Sequence, residues 1–144
     1  MSASLKDINE EFKEIELGDW RAVCGDGFSG SGVYKTNLEL PTIPSGKVAI
    51  DLGDVKHSAE LSLNGESLGV RIMSPYTFEL DSSLLNRTND LEIRVSNSAA
   101  NAFNKTDLWD KLAQWQLSPF FSKQTEFDKD SLIGGLIGPI TLKF

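Results

Sequence analysis

The sequence predicts an all-β fold, because apolar residues recur at every second position in several short stretches separated by turn-forming residues. Period two is the spacing of strand side chains that share one face of a sheet. About eight such stretches, with no long amphipathic helices between them, indicate an antiparallel sandwich or barrel and disfavour a parallel α/β sheet. A length of 144 residues suits one domain with its own core.

Each predicted strand ends at a recognisable turn signal. Pro41 ends the first alternating run and Gly53 ends the second. Asn64-Gly65 separates two runs with the residue pair that a type I′ hairpin turn favours. Asp81 can cap one helical turn around Leu84. The predicted strands cover residues 33–40, 48–52, 58–64, 67–72, 76–80 and 91–96, with a final strand within 136–144.

Two segments depart from the strand pattern. Residues 1–15 are predicted to be an N-terminal extension with a short helix over about 7–14, and the sandwich domain is predicted to span 16–144. Between Asn97 and Asp130 the alternation disappears, and a short helix over about 105–116 is expected within a long, aromatic-rich connection. Such connections are often functional.

Charge and composition exclude several classes of protein. A net charge of −7 disfavours nucleic acid and anionic membrane surfaces as partners. No apolar run approaches the ~20 residues of a membrane-spanning helix. Cys24 is the single cysteine, so an intramolecular disulfide is impossible. The first 16 residues lack the apolar centre of a signal peptide, which leaves the cellular compartment open.

Several short motifs, in order along residues 17–144, resemble the sugar-binding domains of glycoside hydrolases. A tryptophan stretch precedes a Y-K-T strand that ends in L-P, and a D-L-G-x-V stretch precedes an alternating strand that ends in N-G. The motifs are Leu17-Gly18-Asp19-Trp20, Tyr34-Lys35-Thr36, Leu40-Pro41, Asp51-Leu52-Gly53-Asp54-Val55, Leu63-Asn64-Gly65, Pro75-Tyr76-Thr77-Phe78-Glu79, Leu91-Glu92-Ile93-Arg94-Val95-Ser96-Asn97 and Gly134-Gly135-Leu136-Ile137-Gly138-Pro139.

The resemblance is strongest to the β-sandwich module of α-L-rhamnosidases and extends to family 2 glycoside hydrolases. It implies a galactose-binding-like jelly roll that is not an enzyme by itself. The implied function is that of an accessory module, with carbohydrate and the catalytic domain of a glycoside hydrolase as partners. The alternative is a structural or protein-interaction domain that braces a catalytic neighbour and has no sugar site.

Sugar rings stack on aromatic side chains, while their hydroxyls need amide, guanidinium or carboxylate partners, so a binding site combines both kinds of group. Core packing is the competing explanation for each aromatic residue, and it is favoured for Trp20 and Tyr76. For Trp109 and Trp115 packing onto the sandwich also stays open. The candidate ligand-binding residues are Trp109, Trp115, Tyr76, Arg71, Asn97 and Asn101.

Other motifs carry weaker chemistry. Residues 25–30 spell G-x-G-x-x-G, but a strand follows where a dinucleotide site needs a helix, so no cofactor is expected. His57, the single histidine, is expected in a surface turn rather than in a catalytic triad. The many carboxylates, among them Asp51, Glu60 and Glu92, are expected on solvated faces. A structural Ca²⁺ held by loop oxygens is a further expectation.

Overall fold

The computed structural model describes residues 2–6, 12–99, 101 and 132–144, with side chains from residue 15 onward. Within these ranges the helix α1 (Arg21–Cys24) and a 3-10 turn (Ser82–Leu84) accompany the strands. No helix there has the length and apolarity needed to cross a membrane. The strands are β1 (Ser2–Lys6), β2 (Phe12–Glu16), β3 (Ser31–Glu39), β4 (Lys47–Asp51), β5 (Asp54–Lys56), β6 (Ser58–Leu63), β7 (Glu66–Arg71), β8 (Thr77–Asp81), β9 (Thr88–Ser96), β10 (Gly135–Gly138) and β11 (Thr141–Lys143).

The first layer is a six-stranded antiparallel sheet in the order β2-β1-β3-β9-β6-β7. The predicted hairpin is confirmed as β6 and β7. Asn64 has a φ of 51° and Gly65 a φ of 85°, the pair of positive values that a type I′ turn requires. The predicted helical turn after Asp81 is also confirmed, since the Asp81 carboxylate accepts a hydrogen bond of 2.9 Å from the backbone N–H of Ser83.

The second layer is formed by two small sheets. In one, β4 lies between β11 and β8, and in the other β10 pairs with β5. Between the two sheets, the backbone at Gly53 lies in contact with that at Gly138. A Cβ on Gly53 would lie 2.5 Å from the carbonyl carbon of Gly138, so no larger residue fits at this position.

The core lies between the two layers and is built from the inward positions of each alternating strand. Trp20 is buried there as predicted, and its ring meets Phe28 edge-on with centroids 5.2 Å apart. Burial alternates residue by residue along β6 and β9, which is the pattern of a sheet with one solvated face. The largest fully buried side chains are Trp20, Tyr34, Phe78, Ile50, Leu52, Leu61, Leu91, Ile93, Leu136, Val48 and Val95. The predicted antiparallel sandwich is therefore confirmed.

The helix expected over 7–14 is wrong at residues 12–14, which belong to β2 and pair with β1. The sequence patterns missed β5, because a strand of three residues beside a glycine is too short to show a period. The final strand expected within 136–144 is divided into β10 and β11. The helix expected over 105–116 lies outside the described residues, and the division at residue 15 stays a prediction.

Candidate functional site

Asn97, the residue after β9, bonds the glycine-rich loop formed by residues 25–30 to the sheet. Its amide donates a 2.8 Å hydrogen bond to the carbonyl oxygen of Phe28 and accepts one of 2.8 Å from the N–H of Gly30. Its own backbone N–H donates to the carbonyl of Gly30. Both ends of this amide are therefore engaged by the backbone of the fold. This loop leads into β3, so the structure places a strand after the G-x-G-x-x-G segment.

Tyr76 lies in the core, and its polar tip contacts the backbone. The hydroxyl donates a hydrogen bond to the carbonyl oxygen of His57, and burial raises the pKa of the phenol. The N–H of His57 in turn donates to Ser96, the residue before Asn97. Tyr76 and Asn97 are thus joined through one exposed turn, in which the His57 side chain faces solvent as expected.

Arg71 closes the same end of the molecule from β7. Its Nε donates to the carbonyl of Thr77 at 3.2 Å, and one terminal nitrogen donates to the carbonyl of Val70 at 3.1 Å. The guanidinium carbon lies 4.9 Å from the centre of the Phe78 ring, within range of a cation–π contact. Arg71 therefore links β7 to β8 and covers the aromatic core at that edge.

Asn101 is separate from these three residues. It is buried, and its amide donates a 2.8 Å hydrogen bond to the carbonyl of Leu132. The structure thus brings Arg71, Tyr76 and Asn97 to one end of the sandwich and gives their polar groups backbone partners. Trp109 and Trp115 lie outside the described residues. The assignment of all six as sugar ligands stays a prediction.

A different polar region lies on the solvent face of the six-stranded sheet, near the Asn64-Gly65 turn. It is a depression of about 370 Å³ across β3, β9 and β6, which we call the outer groove. Its lining includes Lys35, Asn37, Ser62, Gly65, Asp90 and Glu92. Sequence reasoning missed it, because alternation places Lys35 and Asn37 on one strand face and Glu92 on another, while Asp90 is predicted in a polar turn before the strand. The register of β3 on β9 makes these side chains neighbours, because it pairs Lys35 with Glu92 and Asn37 with Asp90.

Among the described residues, the outer groove contains the Lys35–Glu92 ion pair and several side chains without a hydrogen-bond partner. Lys35 and Glu92 approach to 3.2 Å, and both side chains are about half exposed. Within the part of the chain that the structure describes, no protein group bonds the side chains of Asn37, Ser62 or Asp90. The groove therefore offers an amide, a hydroxyl and a carboxylate to a ligand.

Three carboxyl groups in the described ranges have displaced pKa values. A glycosidase needs a general acid whose pKa is raised. In the described ranges, the carboxyl groups with displaced pKa values are Asp19, Asp51 and Asp81, and all three pKa values lie below the usual range. For Asp51 the first cause is the hydrogen bond from Lys143, at 2.6 Å, followed by one from the N–H of Gly53.

Among residues 15–99, 101 and 132–144, no group of three His, Cys, Asp or Glu side chains is placed to hold a metal ion. The Ca²⁺ expected from the sequence stays a prediction, because loop carbonyls could also contribute ligands.

An apolar patch occupies the edge of the same six-stranded sheet. Val70, Ile72 and Met73, at the end of β7 and just beyond it, are 53%, 73% and 68% exposed. Val70 of β7 pairs with Glu60 of β6, whose side chain lies on the solvent face of the sheet. The patch therefore borders the face that carries the outer groove. We call these three residues the β7 patch. β7 is also the last strand of its sheet, with one edge free of strand partners among the described residues.

Known proteins share this architecture. A rhamnosidase from Novosphingobium sp. PP1Y matches 98% of this chain with a TM-score of 0.67 at 22% identity, and the chain covers 14% of that protein. The fold of this chain therefore occurs as part of a glycoside hydrolase. A β-D-glucuronidase from Dictyoglomus thermophilum matches 67% of the chain with a TM-score of 0.57 at 18% identity, and 18% of that protein is covered. The resemblance predicted from the motifs is confirmed at the level of fold.

Sequence comparison gives a narrower match. The curated protein named "Putative beta-glucuronidase" from Formosa agariphila is 31% identical over an 88-residue alignment that covers 57% of this chain. No protein-family model matches the chain. The chain spans 8% of the length of that curated relative and 14% of the rhamnosidase. The proteins that this chain resembles are thus glycoside hydrolases, and the chain corresponds to a small part of each.

Proposed function

We propose that this chain is a non-catalytic accessory domain of a larger glycoside hydrolase and that it braces a catalytic neighbour. The observation that carries the proposal is the β7 patch. Three large apolar side chains are exposed together at a sheet edge, and such clusters are typical of surfaces that contact another protein or domain. Burial of this patch would stabilise the assembled protein without contributing to the core of the sandwich itself.

The placement of the candidate ligand residues supports the same function. Asn97, Tyr76 and Arg71 direct their polar groups to backbone atoms of the sandwich. A ligand at that end would have to replace bonds that the fold already makes, which costs affinity.

The experiment compares Ile72→Asp with Glu66→Lys in the full-length polypeptide that carries this chain. Both positions are exposed on or beside β7, but only Ile72 belongs to the β7 patch. We expect Ile72→Asp to lower the melting temperature of the catalytic domain by roughly 3 °C or more, and Glu66→Lys to leave it unchanged. In the isolated chain both variants should melt with the parent.

Two outcomes would contradict the proposal. Equal melting of the catalytic domain in both variants would mean that the β7 patch contacts nothing in the assembled enzyme. Release of p-nitrophenol by the isolated chain from p-nitrophenyl α-L-rhamnoside or β-D-glucuronide would mean that the domain is itself catalytic.

A further inference from the structure

The outer groove is formed by rows of side chains that run across three strands. β3, β9 and β6 are neighbours, and their register places Lys35, Glu92 and Ser62 side by side. The next row toward the turn holds Asn37 and Asp90. Neighbouring strands lie about 4.8 Å apart and alternate residues on one face about 7 Å apart. The spacing places polar side chains of different strands within reach of one small ligand.

Unbonded hydrogen-bonding groups distinguish this groove from an ordinary solvated sheet face. On the next row along the same sheet, Arg94 and Glu60 face each other at 3.9 Å, and beyond it the hydroxyls of Ser31 and Ser96 bond each other at 2.6 Å. In the outer groove the side chains of Asn37, Ser62 and Asp90 are left without such partners within the described residues. The groove is thus a depression on this face in which polar side chains without hydrogen-bond partners among the described residues lie close together.

Hydrogen bonds between Asn64 and its neighbours hold one wall of the outer groove in place. Asn64 and Asp90 exchange two bonds, one from the N–H of Asn64 to the Asp90 carbonyl at 2.8 Å and one from the N–H of Asp90 to the Asn64 amide oxygen at 2.9 Å. Asn64 also donates to the buried amide of Asn89 at 3.1 Å. This network fixes the turn that presents Gly65, so a ligand would meet a pre-formed surface.

The chemistry of these groups matches hydroxyl-rich ligands. An amide and a hydroxyl each both donate and accept, and so does every sugar hydroxyl. The Asp90 carboxylate can accept short, charge-assisted bonds from sugar hydroxyls. The volume of about 370 Å³ lies at the lower end of the range of about 300–1,000 Å³ for small-molecule sites.

Charge restricts the ligand further. Among the described residues that line the groove, Lys35 is paired with Glu92 and Asp90 adds one further negative charge, on a chain of net charge −7. Uronic acids, phosphates and sulfated glycans would be repelled. We propose that the outer groove binds a neutral oligosaccharide, with Asn37, Ser62 and Asp90 as its hydrogen-bonding partners. This inference does not depend on the β7 patch, so either proposal can fail without the other.

The test is a ¹H–¹⁵N NMR titration of the chain with neutral trisaccharides (cellotriose, xylotriose, mannotriose) and with trigalacturonic acid. We expect saturable shifts at the amides of Asn37, Ser62, Gly65 and Asp90 with at least one neutral trisaccharide, and none with trigalacturonic acid. Absence of shifts at tens of millimolar of every neutral trisaccharide would overturn the proposal. So would binding of the acidic sugar with equal strength, or shifts confined to residues around Asn97.

A matched pair of variants tests the assigned contact. Asp90→Ala removes an unbonded, exposed carboxylate from the groove, and Glu79→Ala removes an exposed one from β8 in the other layer. We expect Asp90→Ala to weaken binding about tenfold or more, and Glu79→Ala to leave affinity unchanged. Equal affinities in the two variants would remove Asp90 from the site and overturn the assignment.

Discussion

The two polar regions of this molecule contain similar residues and use them differently. At one end of the sandwich, Asn97 gives both ends of its amide to the backbone of the glycine-rich loop. On the solvent face of the six-stranded sheet, Asn37 gives its amide to no protein group among the described residues. The first asparagine builds the fold and the second is available to a ligand. An asparagine beside a strand is therefore evidence for neither function until its partners are known.

The same comparison extends to the inner face. Asn89 is fully buried at the start of β9 and makes four hydrogen bonds, to Asn64, Leu38 and the backbone N–H and carbonyl of Asn86. Asp90 follows it in the chain, points the other way and bonds no protein group with its carboxylate in the described part. Alternation along one strand thus separates a structural amide from a candidate ligand.

The largest effect should come from Asn89→Ala. The substitution leaves a backbone N–H, two carbonyls and the Asn64 amide without this partner, and each buried unsatisfied group costs about 1–3 kcal/mol. We expect the free energy of unfolding to fall by about 3 kcal/mol, measured by urea denaturation. A loss below about 0.5 kcal/mol, the range of ordinary surface changes, would show that water replaces these bonds at no cost.

A smaller effect is expected from Asn97→Ala, compared directly with Asn37→Ala. Asn97 loses two bonds that hold residues 28 and 30, which predicts a loss of about 1.5 kcal/mol in the free energy of unfolding. Asn37→Ala should change it by less than about 0.5 kcal/mol. Equal losses in the two variants would remove the distinction between structural and available amides.

The smallest effect concerns pH. Burial raises the pKa of Tyr34 to about 12 from the model-compound value of 10.0, although its hydroxyl accepts a bond from the N–H of Leu136. Above pH 10 the unfolded chain releases this proton before the folded chain does. The contribution of the Tyr34 proton to the free energy of unfolding is therefore fully present below pH 10 and is lost as the pH rises toward 12.

Urea denaturation at pH 9 and pH 11 measures this decline. Ionisation in the unfolded state alone should cost about 1.4 kcal/mol at pH 11. Tyr34→Phe removes the titrating hydroxyl, so its loss of stability between the two pH values should be smaller by that amount. Parallel losses in the parent and the variant would indicate that the phenol of Tyr34 ionises equally in both states.

Much of the fold follows from local patterns. Alternation in β6 and β9 predicts which side chains are buried, and Asn64-Gly65 predicts the hairpin, because the backbone angles of that turn favour these two residues. The strand β5 was missed, since three residues beside a glycine show no period. It pairs with β10, and Gly53 packs closely against Gly138, 85 positions away.

The candidate site divides in the same way. The sequence by itself determined that Asn37 lies on a strand, on the side opposite to the apolar residues, whereas Asp90 is predicted in a polar turn that the structure shows to be part of β9. It also determined that the chain resembles glycoside hydrolase domains. The tertiary structure decided that β3 and β9 pair in the register that sets Asn37 beside Asp90, and that the amide of Asn97 is engaged by a loop nearly 70 residues away. The reason is physical: periodicity is a local property of the chain, whereas hydrogen-bond partners and grooves come from strands that are distant in sequence and meet only when the core forms.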